Sequence, residues 1–391
     1  MSVDDSEKEN NTEEAHKEEA LGEDTSEEEQ LPEIAPSPKK ARCKELLDQM
    51  SLEQKVGQLF VVRVESSAGI MLGTNGAKGG YTRLSDEMKE FLAEYPPGGY
   101  ALFADNISNP QQLEALVEEL KDSVPVEPIL CIDEEGGQVL RLGSNYSFDV
   151  ERIGNMAGIG STGDTRKARD AGRTIGSYLK KYGFTLDLAP VSDVNSNPAN
   201  VVIGNRSFGS DPYLVSDMVD AFLDGLHEEG VGGCLKHFPG HGDTKGDTHK
   251  GTVKVEKTWD ELKDCELIPF EQNLDKADAV MAAHIMLPNV TTDGLPASLS
   301  KELITDRLRG ELGFDGLVIT DALAMGAVVN DYGSADAAVL AVEAGVDLLL
   351  MPRDYETAYN AVLDAVNSGR ISEERLDESV MRILMFKDKE R

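Results

Sequence analysis

The fold is decided by GLVIT at residues 316–320, SADAAVLAVEA at 334–344 and VDLLLM at 346–351, which predict a strand, a helix and a second strand. Both strand runs are apolar without alternation, which is typical of strands buried on both faces of a parallel sheet. The helical run between them is the connection that parallel strands require. This stretch therefore predicts a β-α-β unit with a parallel sheet.

The same alternation of predicted strands and helices extends back through most of the chain. Short apolar runs, nearly all followed by a helical pattern, predict eight strands, at Val56–Val64, Gly99–Phe103, Pro128–Ile132, Thr185–Leu188, Val231–Lys236, Ala279–His284, Gly316–Thr320 and Val346–Met351. Eight such units are typical of a (β/α)8 TIM-type barrel of the α/β class. A doubly wound open sheet is the alternative, because strand order cannot be read from a sequence.

Charge divides the chain into two parts. The 391 residues carry a formal net charge of −34, of which residues 1–40 contribute −10 through 14 acids and 4 bases. This segment has few large apolar residues, so we predict a disordered acidic leader at 1–40 and a single barrel domain at 41–391. The overall charge argues against nucleic acid as a partner. We find no run of about 18 apolar residues and expect no membrane insertion.

Polar side chains follow the ends of several predicted strands, where the active face of a barrel lies. Asp133 follows the third strand, with Arg141 eight residues on, and Arg206 comes after the fourth. Lys236 and His237 end the fifth strand, and further candidates are His284 and Asp321 at the ends of the sixth and seventh. A carboxylate at the rim of a core is costly without a task, so Asp321 is the strongest functional candidate of this group. His284 could equally form hydrogen bonds within the core.

The segment from Lys236 to His249 contains three histidines and admits two interpretations. His237 and His241 have the H-x3-H spacing of some zinc ligands, but Pro239 and Gly240 between them break the helix that this spacing needs. We therefore expect no metal site, and no cofactor either, since the chain has no P-loop and no G-x-G-x-x-G opening a nucleotide-binding unit. Asp247 and His249 are close enough for the carboxylate to orient the imidazole as a proton donor and acceptor. Two solvated loop residues are the alternative.

Four runs together resemble glycoside hydrolase family 3, and within it the β-N-acetylglucosaminidases (β-N-acetylhexosaminidases). They are CIDEEGGQVLRL at 131–142, GNRSFGSD at 204–211, CLKHFPGHGDTKGDTH at 234–249 and GFDGLVITDALAMGAV at 313–328. The resemblance extends from about Leu46 to Phe386 and implies a (β/α)8 barrel. The T-D-A-L run at the nucleophile position and the D-x-H loop favour this subgroup over the β-glucosidases of the family, which usually carry S-D-W and a second domain.

The resemblance implies a retaining mechanism. Asp321 matches the nucleophile, His249 the general acid/base and Asp247 its partner. Positions that hold the terminal N-acetylglucosamine are matched by Asp133, Arg141, Arg206, Lys236 and His237. We therefore expect an exo-acting hydrolase that removes N-acetylglucosamine from muropeptides or related oligosaccharides. A phosphorylase that uses phosphate as the acceptor is the alternative, because a neutral His does not repel phosphate as Glu would. A non-catalytic sugar-binding protein is a further alternative.

Partners and location follow from the same observations. We expect a small carbohydrate bearing a terminal N-acetylglucosamine as the substrate, and a monomer. No signal sequence is visible, which predicts a cytoplasmic protein. An extracellular or lipid-anchored protein is the alternative if a leader has been removed, in which case residues 1–40 would form a spacer.

Overall fold

Eight parallel strands form the centre of the molecule. The structure is a computed structural model, and it describes residues 37–70, 80–244, 246, 251 and 253–388. The strands are β1 (Phe60–Val62), β2 (Gly99–Leu102), β3 (Ile129–Ile132), β4 (Leu186–Asp187), β5 (Gly232–Phe238), β6 (Ala279–Ala282), β7 (Leu317–Thr320) and β8 (Leu349–Leu350). Every residue of these strands is buried, in agreement with their continuously apolar runs.

The sheet closes on itself. The strands pair in the order β8-β1-β2-β3-β4-β5-β6-β7. Ile319 of β7 also forms a parallel bridge with Leu348, just before β8, and Thr320 N–H donates to the Leu348 carbonyl at 3.0 Å. The prediction of a (β/α)8 barrel is confirmed, and the open-sheet alternative is wrong.

Helices surround the barrel. They are α1 (Pro38–Gln49), α2 (Leu52–Gln58), α3 (Asp86–Glu94), α4 (Pro110–Asp122), α5 (Met156–Gly160), α6 (Thr165–Lys181), α7 (Pro212–Glu228), α8 (Trp259–Lys263), α9 (Ile268–Glu271), α10 (Gly326–Val329), α11 (Gly333–Ala344), α12 (Tyr355–Asn367) and α13 (Glu373–Lys387). A π-helix covers Glu302–Glu311, four 3-10 turns lie at Val64–Ala68, Ala104–Asn106, Gly204–Arg206 and Ala297–Leu299, and a two-stranded ladder pairs Val253–Lys254 with Ile285–Met286. No helix among the described residues is both long and apolar enough to span a bilayer.

Local signals explain where several elements begin. Ser51 and Gln54 form a capping box that begins α2 at Leu52. The helix continues through Gln58, so β1 starts only at Phe60, four residues later than the apolar run predicts. Between residues 258 and 273, where the pattern alone would suggest one helix, the chain forms the two short helices α8 and α9. At the chain's beginning, α1 starts at Pro38, three residues inside the predicted leader, whose residues 1–36 lie outside the described part. The division into a disordered leader at 1–40 and a single barrel domain at 41–391 stays a prediction.

An aromatic cluster packs between β1 and α12, next to the place where the last strand pairs with the first. Phe60 of β1 packs edge-on against Tyr355 of α12, with ring centroids 5.3 Å apart. Tyr359, one turn further along α12, meets Tyr95 edge-on at 5.3 Å. Such pairs contribute beyond their buried area. The cluster therefore holds the helix that follows β8 against the first strand.

Candidate active site

A polar cleft of about 190 Å³ lies at the carboxyl ends of the strands. Its position matches the face on which barrel enzymes carry their sites, because the loops after the strands converge there. The cleft is lined by Asp133, Glu135, Val139, Arg141, Val202, Arg206, Lys236, His237, His241, Met281, Asp321, Leu350 and Met351. Six of the eight predicted site residues are among them. The other two, Asp247 and His249, lie outside the described residues.

Lys236 is the central cation of the cleft. Its buried ammonium contacts Asp133 at 2.8 Å and Glu135 at 2.5 Å. Burial by itself would lower the pKa of Lys236, but the two carboxylates outweigh it and raise that pKa. Burial would raise the pKa of Asp133, but Lys236 and Arg141 outweigh it and hold that pKa low. The cluster therefore stays ionised through the neutral range.

Arg206 meets the same cluster from the loop after β4. Its guanidinium makes a two-pronged pair with Glu135, at 2.8 and 2.7 Å, while both side chains are largely buried. Burial would raise the pKa of Glu135, but Lys236 and Arg206 lower it to about 2. Asn200 holds this loop in place, because its amide donates to the carbonyl of His241 at 2.7 Å and its oxygen accepts from two backbone N–H groups of the loop.

The loop after β3 is folded around the buried carboxylate of Glu134. That carboxylate accepts backbone hydrogen bonds from Arg141, Leu142 and Gly143 at 2.7, 3.1 and 2.6 Å, and a fourth from the Tyr178 hydroxyl at 2.9 Å. Burial raises the pKa of Glu134, although these four donors oppose the shift. The arrangement brings the Arg141 guanidinium to 3.5 Å from Asp133.

Consecutive residues of β5 both line the cleft. Side chains normally alternate between the two faces of a strand, but the register of β5 against β6 shifts between Lys236 and Phe238. His237 Nδ1 then donates to Asp193 at 2.6 Å, so Nε2 is the acceptor that faces Arg206 at 3.4 Å. Burial would raise the pKa of Asp193, but His237 and His241 outweigh it and lower that pKa.

Asp321 directly follows β7 and is held through its backbone. Its N–H donates to the Ala282 carbonyl at 2.9 Å, and its Oδ1 accepts from the Ala322 N–H at 2.7 Å. His284 is buried and donates through Nε2 to the Ala322 carbonyl at 3.0 Å, while Nδ1 accepts from Ser298 at 2.7 Å. His284 therefore has the hydrogen-bonding role within the core that the sequence left open, and it steadies the peptide next to Asp321.

Several cleft residues were not predicted from the sequence. Glu135 stands beside Glu134 in one acidic run, and no local signal distinguishes the carboxylate in the cleft from the one inside the loop. Asp193, which is buried and pairs with His237 without lining the cleft itself, was not predicted either. The apolar side of the cleft, formed by Met281, Leu350 and Met351, carried no signal at all. No group of three or more potential metal ligands occurs within the described residues.

The fold and the cleft define a class, that of barrel proteins with an enzyme-type polar site at the carboxyl ends of the strands. The chain belongs to glycosyl hydrolase family 3, because residues 51–386 match the N-terminal domain of that family. The recognition made from the four motifs is confirmed. Membership places the chain among the glycoside hydrolases.

Two beta-hexosaminidases align with most of this chain. "Beta-hexosaminidase A" of Pseudoalteromonas piscicida is 32% identical over an alignment of 373 residues, and the match covers 87% of this chain and 61% of the relative. "Beta-hexosaminidase" of Stenotrophomonas maltophilia is 34% identical over 288 residues, covering 72% of this chain and 84% of the relative. The chain thus spans less than two thirds of the first relative and most of the second.

Solved structures give the same fold. A family 3 β-N-acetylglucosaminidase from a Paenibacillus species superposes with a TM-score of 0.79 at 40% identity, over 86% of this chain and 62% of that one. A structure described as a beta-glucoside phosphorylase superposes with a TM-score of 0.77 at 26% identity, over 91% of this chain and 61% of that one. The same barrel therefore occurs in a protein named as a glycosidase and in one named as a phosphorylase.

Proposed function

We propose that this protein is a retaining exo-β-N-acetylglucosaminidase that works through a covalent glycosyl-enzyme. The observation that carries the proposal is that Asp321 shares one cleft with Asp133, Arg206, Lys236 and His237. Retaining glycoside hydrolysis requires a nucleophile, usually a carboxylate, and a general acid/base, and Asp321 is placed to be the nucleophile beside groups that can bind sugar hydroxyls. The Paenibacillus structure, named as a β-N-acetylglucosaminidase, supports N-acetylglucosamine as the sugar, and the names of the hexosaminidase relatives agree with it.

In the first step, the Asp321 carboxylate attacks the anomeric carbon. A bond forms between its oxygen and that carbon, and the bond from the carbon to the leaving oxygen breaks. His249 gives its proton to the leaving oxygen, with Asp247 stabilising the charged imidazole; both roles are carried over from the family resemblance, and both residues lie outside the described part. In the second step His249 removes a proton from water, which attacks the same carbon and releases Asp321.

The remaining predicted residues hold the terminal sugar. Asp133 accepts hydrogen bonds from sugar hydroxyls, and Lys236 and Arg206 donate to hydroxyl oxygens. His237 Nε2 accepts from a hydroxyl, because its Nδ1 proton is committed to Asp193. Arg141 closes the same end of the cleft beside Asp133. Each group is held by another one, so little side-chain freedom is lost on binding.

Muropeptides or related oligosaccharides are the substrates we propose, with the protein acting as a monomer. A cytoplasmic location, or an extracellular or lipid-anchored one behind the acidic segment, is decided by fractionating the cells that produce the protein. Activity on a panel of N-acetylglucosaminides with different leaving groups decides the natural aglycone.

The catalytic assignment is tested with Asp321→Asn. We expect kcat on a chromogenic β-N-acetylglucosaminide to fall by about 10⁴-fold or more, because an amide cannot form the covalent intermediate. Proton NMR of the wild-type reaction should show the β-anomer of free N-acetylglucosamine first. Asp275→Asn, at an exposed position, is the control and should leave kcat unchanged. Undiminished turnover by the Asp321 variant would refute the assignment, and binding without any turnover by the wild type would favour a sugar-binding protein.

The second candidate is a phosphorylase, favoured by the structural similarity to the beta-glucoside phosphorylase. In that reaction phosphate, rather than water, attacks the glycosyl-enzyme and gives a sugar 1-phosphate. The two functions are separated by running the wild-type reaction with and without inorganic phosphate and identifying the product by mass. A sugar 1-phosphate as the main product would replace the hydrolase proposal.

A further inference from the structure

The cleft has a mostly polar side, to which Val139 and Val202 also belong, and a more apolar side around β7. Asp133, Lys236 and His237 lie at the ends of β3 and β5, on the polar side. On the other side, Met281 belongs to β6, while Leu350 and Met351 lie at the end of β8. Because β6 and β8 are the two neighbours of β7, these apolar residues flank Asp321 from both directions.

Met351 has an unusual backbone conformation. Its φ is 48°, and it is the one residue other than glycine with positive φ in the part of the chain that the structure describes. Two hydrogen bonds hold it there: its N–H donates to the Val61 carbonyl at 2.8 Å, and its carbonyl accepts from Ala324 N–H at 3.1 Å. Glycine adopts this conformation without strain, so a methionine here indicates that the side chain has a task.

The chemistry of the proposed substrate indicates what this task is. In a retaining reaction the nucleophile approaches the anomeric carbon, and the next ring carbon bears the 2-acetamido group. The other ring neighbour of the anomeric carbon is the ring oxygen, so one flank of the nucleophile lies beside the 2-substituent and the other beside the ring oxygen. The acetyl methyl is the apolar group of an otherwise hydroxyl-rich sugar, and a thioether side chain adapts well to such a group.

We propose that Met351 is a specificity-determining residue whose side chain packs against the methyl of the 2-acetamido group. The proposal rests on the proposed function, since it assigns the part of the sugar that this side of the cleft contacts. A methyl group in an apolar pocket changes discrimination between substrates by about 10- to 200-fold. Met351 therefore accounts for a change of this size between a 2-acetamido sugar and a 2-hydroxy sugar.

The test compares Met351→Gly with the wild type on two substrates that share one chromogenic leaving group, a β-N-acetylglucosaminide and a β-glucoside. We expect the ratio of their kcat/KM values to fall by about 10-fold or more in the variant. The melting temperature should stay within a few degrees, because glycine relieves the strained backbone conformation. Met351→Leu, of similar volume, is the control and should keep the ratio within a few-fold.

Binding of the free sugars separates this proposal from the proposed function. Calorimetric titration of N-acetylglucosamine and glucose into the wild type and into Met351→Gly gives an affinity ratio that needs no turnover. A lower ratio in the variant supports the role of Met351 even if the wild type hydrolyses neither substrate, in which case the hydrolase proposal alone fails. An unchanged affinity ratio in Met351→Gly, with the fold intact by melting temperature, would overturn the proposal.

Discussion

Glu135 connects the predicted sugar-binding cations although it was not itself predicted. Its carboxylate contacts both Lys236 and Arg206, and all three side chains are largely buried. A buried carboxylate that neutralises two buried cations cannot be removed without leaving charge uncompensated. The role that the structure supports for Glu135 is therefore to keep both cations in place.

We predict that Glu135→Gln lowers the free energy of unfolding by about 3–5 kcal/mol at pH 7. The pKa of Glu135 is about 2 in the folded protein, below its ordinary value of 4.5. Its stabilisation is thus fully present above about pH 4.5 and is lost as the pH falls towards 2. Urea unfolding of both proteins at several pH values should show the difference shrinking in acid.

The matched control for this change is Glu118→Gln, at an exposed position of α4. Surface substitutions of this kind usually change stability by less than about 0.5 kcal/mol. Equal effects at Glu118 and Glu135, or a Glu135 effect that does not depend on pH, would contradict the role given to the buried cluster.

At the scale of elements, β4 carries a carboxyl group into the barrel interior. Asp187 is fully buried, and its Oδ1 accepts from the Glu134 N–H at 3.0 Å. Its Oδ2 has no hydrogen-bond partner among the described residues. Burial raises the pKa of Asp187 well above its ordinary value, and the nearby Glu134 carboxylate adds to the shift. The group is therefore protonated in the folded protein at pH values where the unfolded chain is ionised.

We predict that Asp187→Asn becomes more stable than the wild type, and that the difference in the free energy of unfolding grows as the pH rises. The wild type loses about 1.4 kcal/mol per pH unit between the unfolded pKa of about 3.9 and the raised folded pKa, because only the folded state keeps the proton. Asparagine keeps the acceptor for Glu134 N–H and does not titrate. Thermal unfolding of both proteins between pH 4 and pH 8 should show a widening difference, and parallel curves would mean that Asp187 is ionised when folded.

The elements also show how far the sequence alone could lead. All eight strands are predictable, because continuous apolar runs such as GLVIT at 316–320 are the pattern of buried parallel strands. Strand ends then place Asp133, Lys236 and Asp321 on one face. The sequence does not predict that Glu134 lies inside the loop while Glu135 lines the cleft, because these neighbouring acids differ only in their tertiary contacts. The same is true of the register shift that brings His237 into the cleft beside Lys236.

At the scale of the whole molecule, net charge opposes compactness. The chain carries −34, and residues 41–391 still carry −24, through 58 acids and 34 bases. Like charges confined to one surface repel each other, and salt screens this repulsion over about 30 Å at 0.01 M and about 10 Å at 0.1 M.

We therefore predict that the melting temperature rises by a few degrees when NaCl is increased from about 10 to 300 mM. Exposed ion pairs are weakened by the same change, but each contributes only about 0–1 kcal/mol. Scanning calorimetry in NaCl and in KCl checks the prediction, since general screening acts equally for the two salts. A lower melting temperature in salt would show that surface ion pairs dominate over net repulsion.

The pairing of charges within the cleft has a further consequence, for the speed of substrate capture. Each cation that lines it among the described residues, Arg141, Arg206 and Lys236, is matched by Asp133 or Glu135 within the same cleft. Because its charges are paired, the cleft itself adds little long-range attraction or repulsion for a charged group on the aglycone, and the sugar is uncharged. We therefore expect the rate of substrate capture to depend little on salt, whereas the stability of the fold does depend on it.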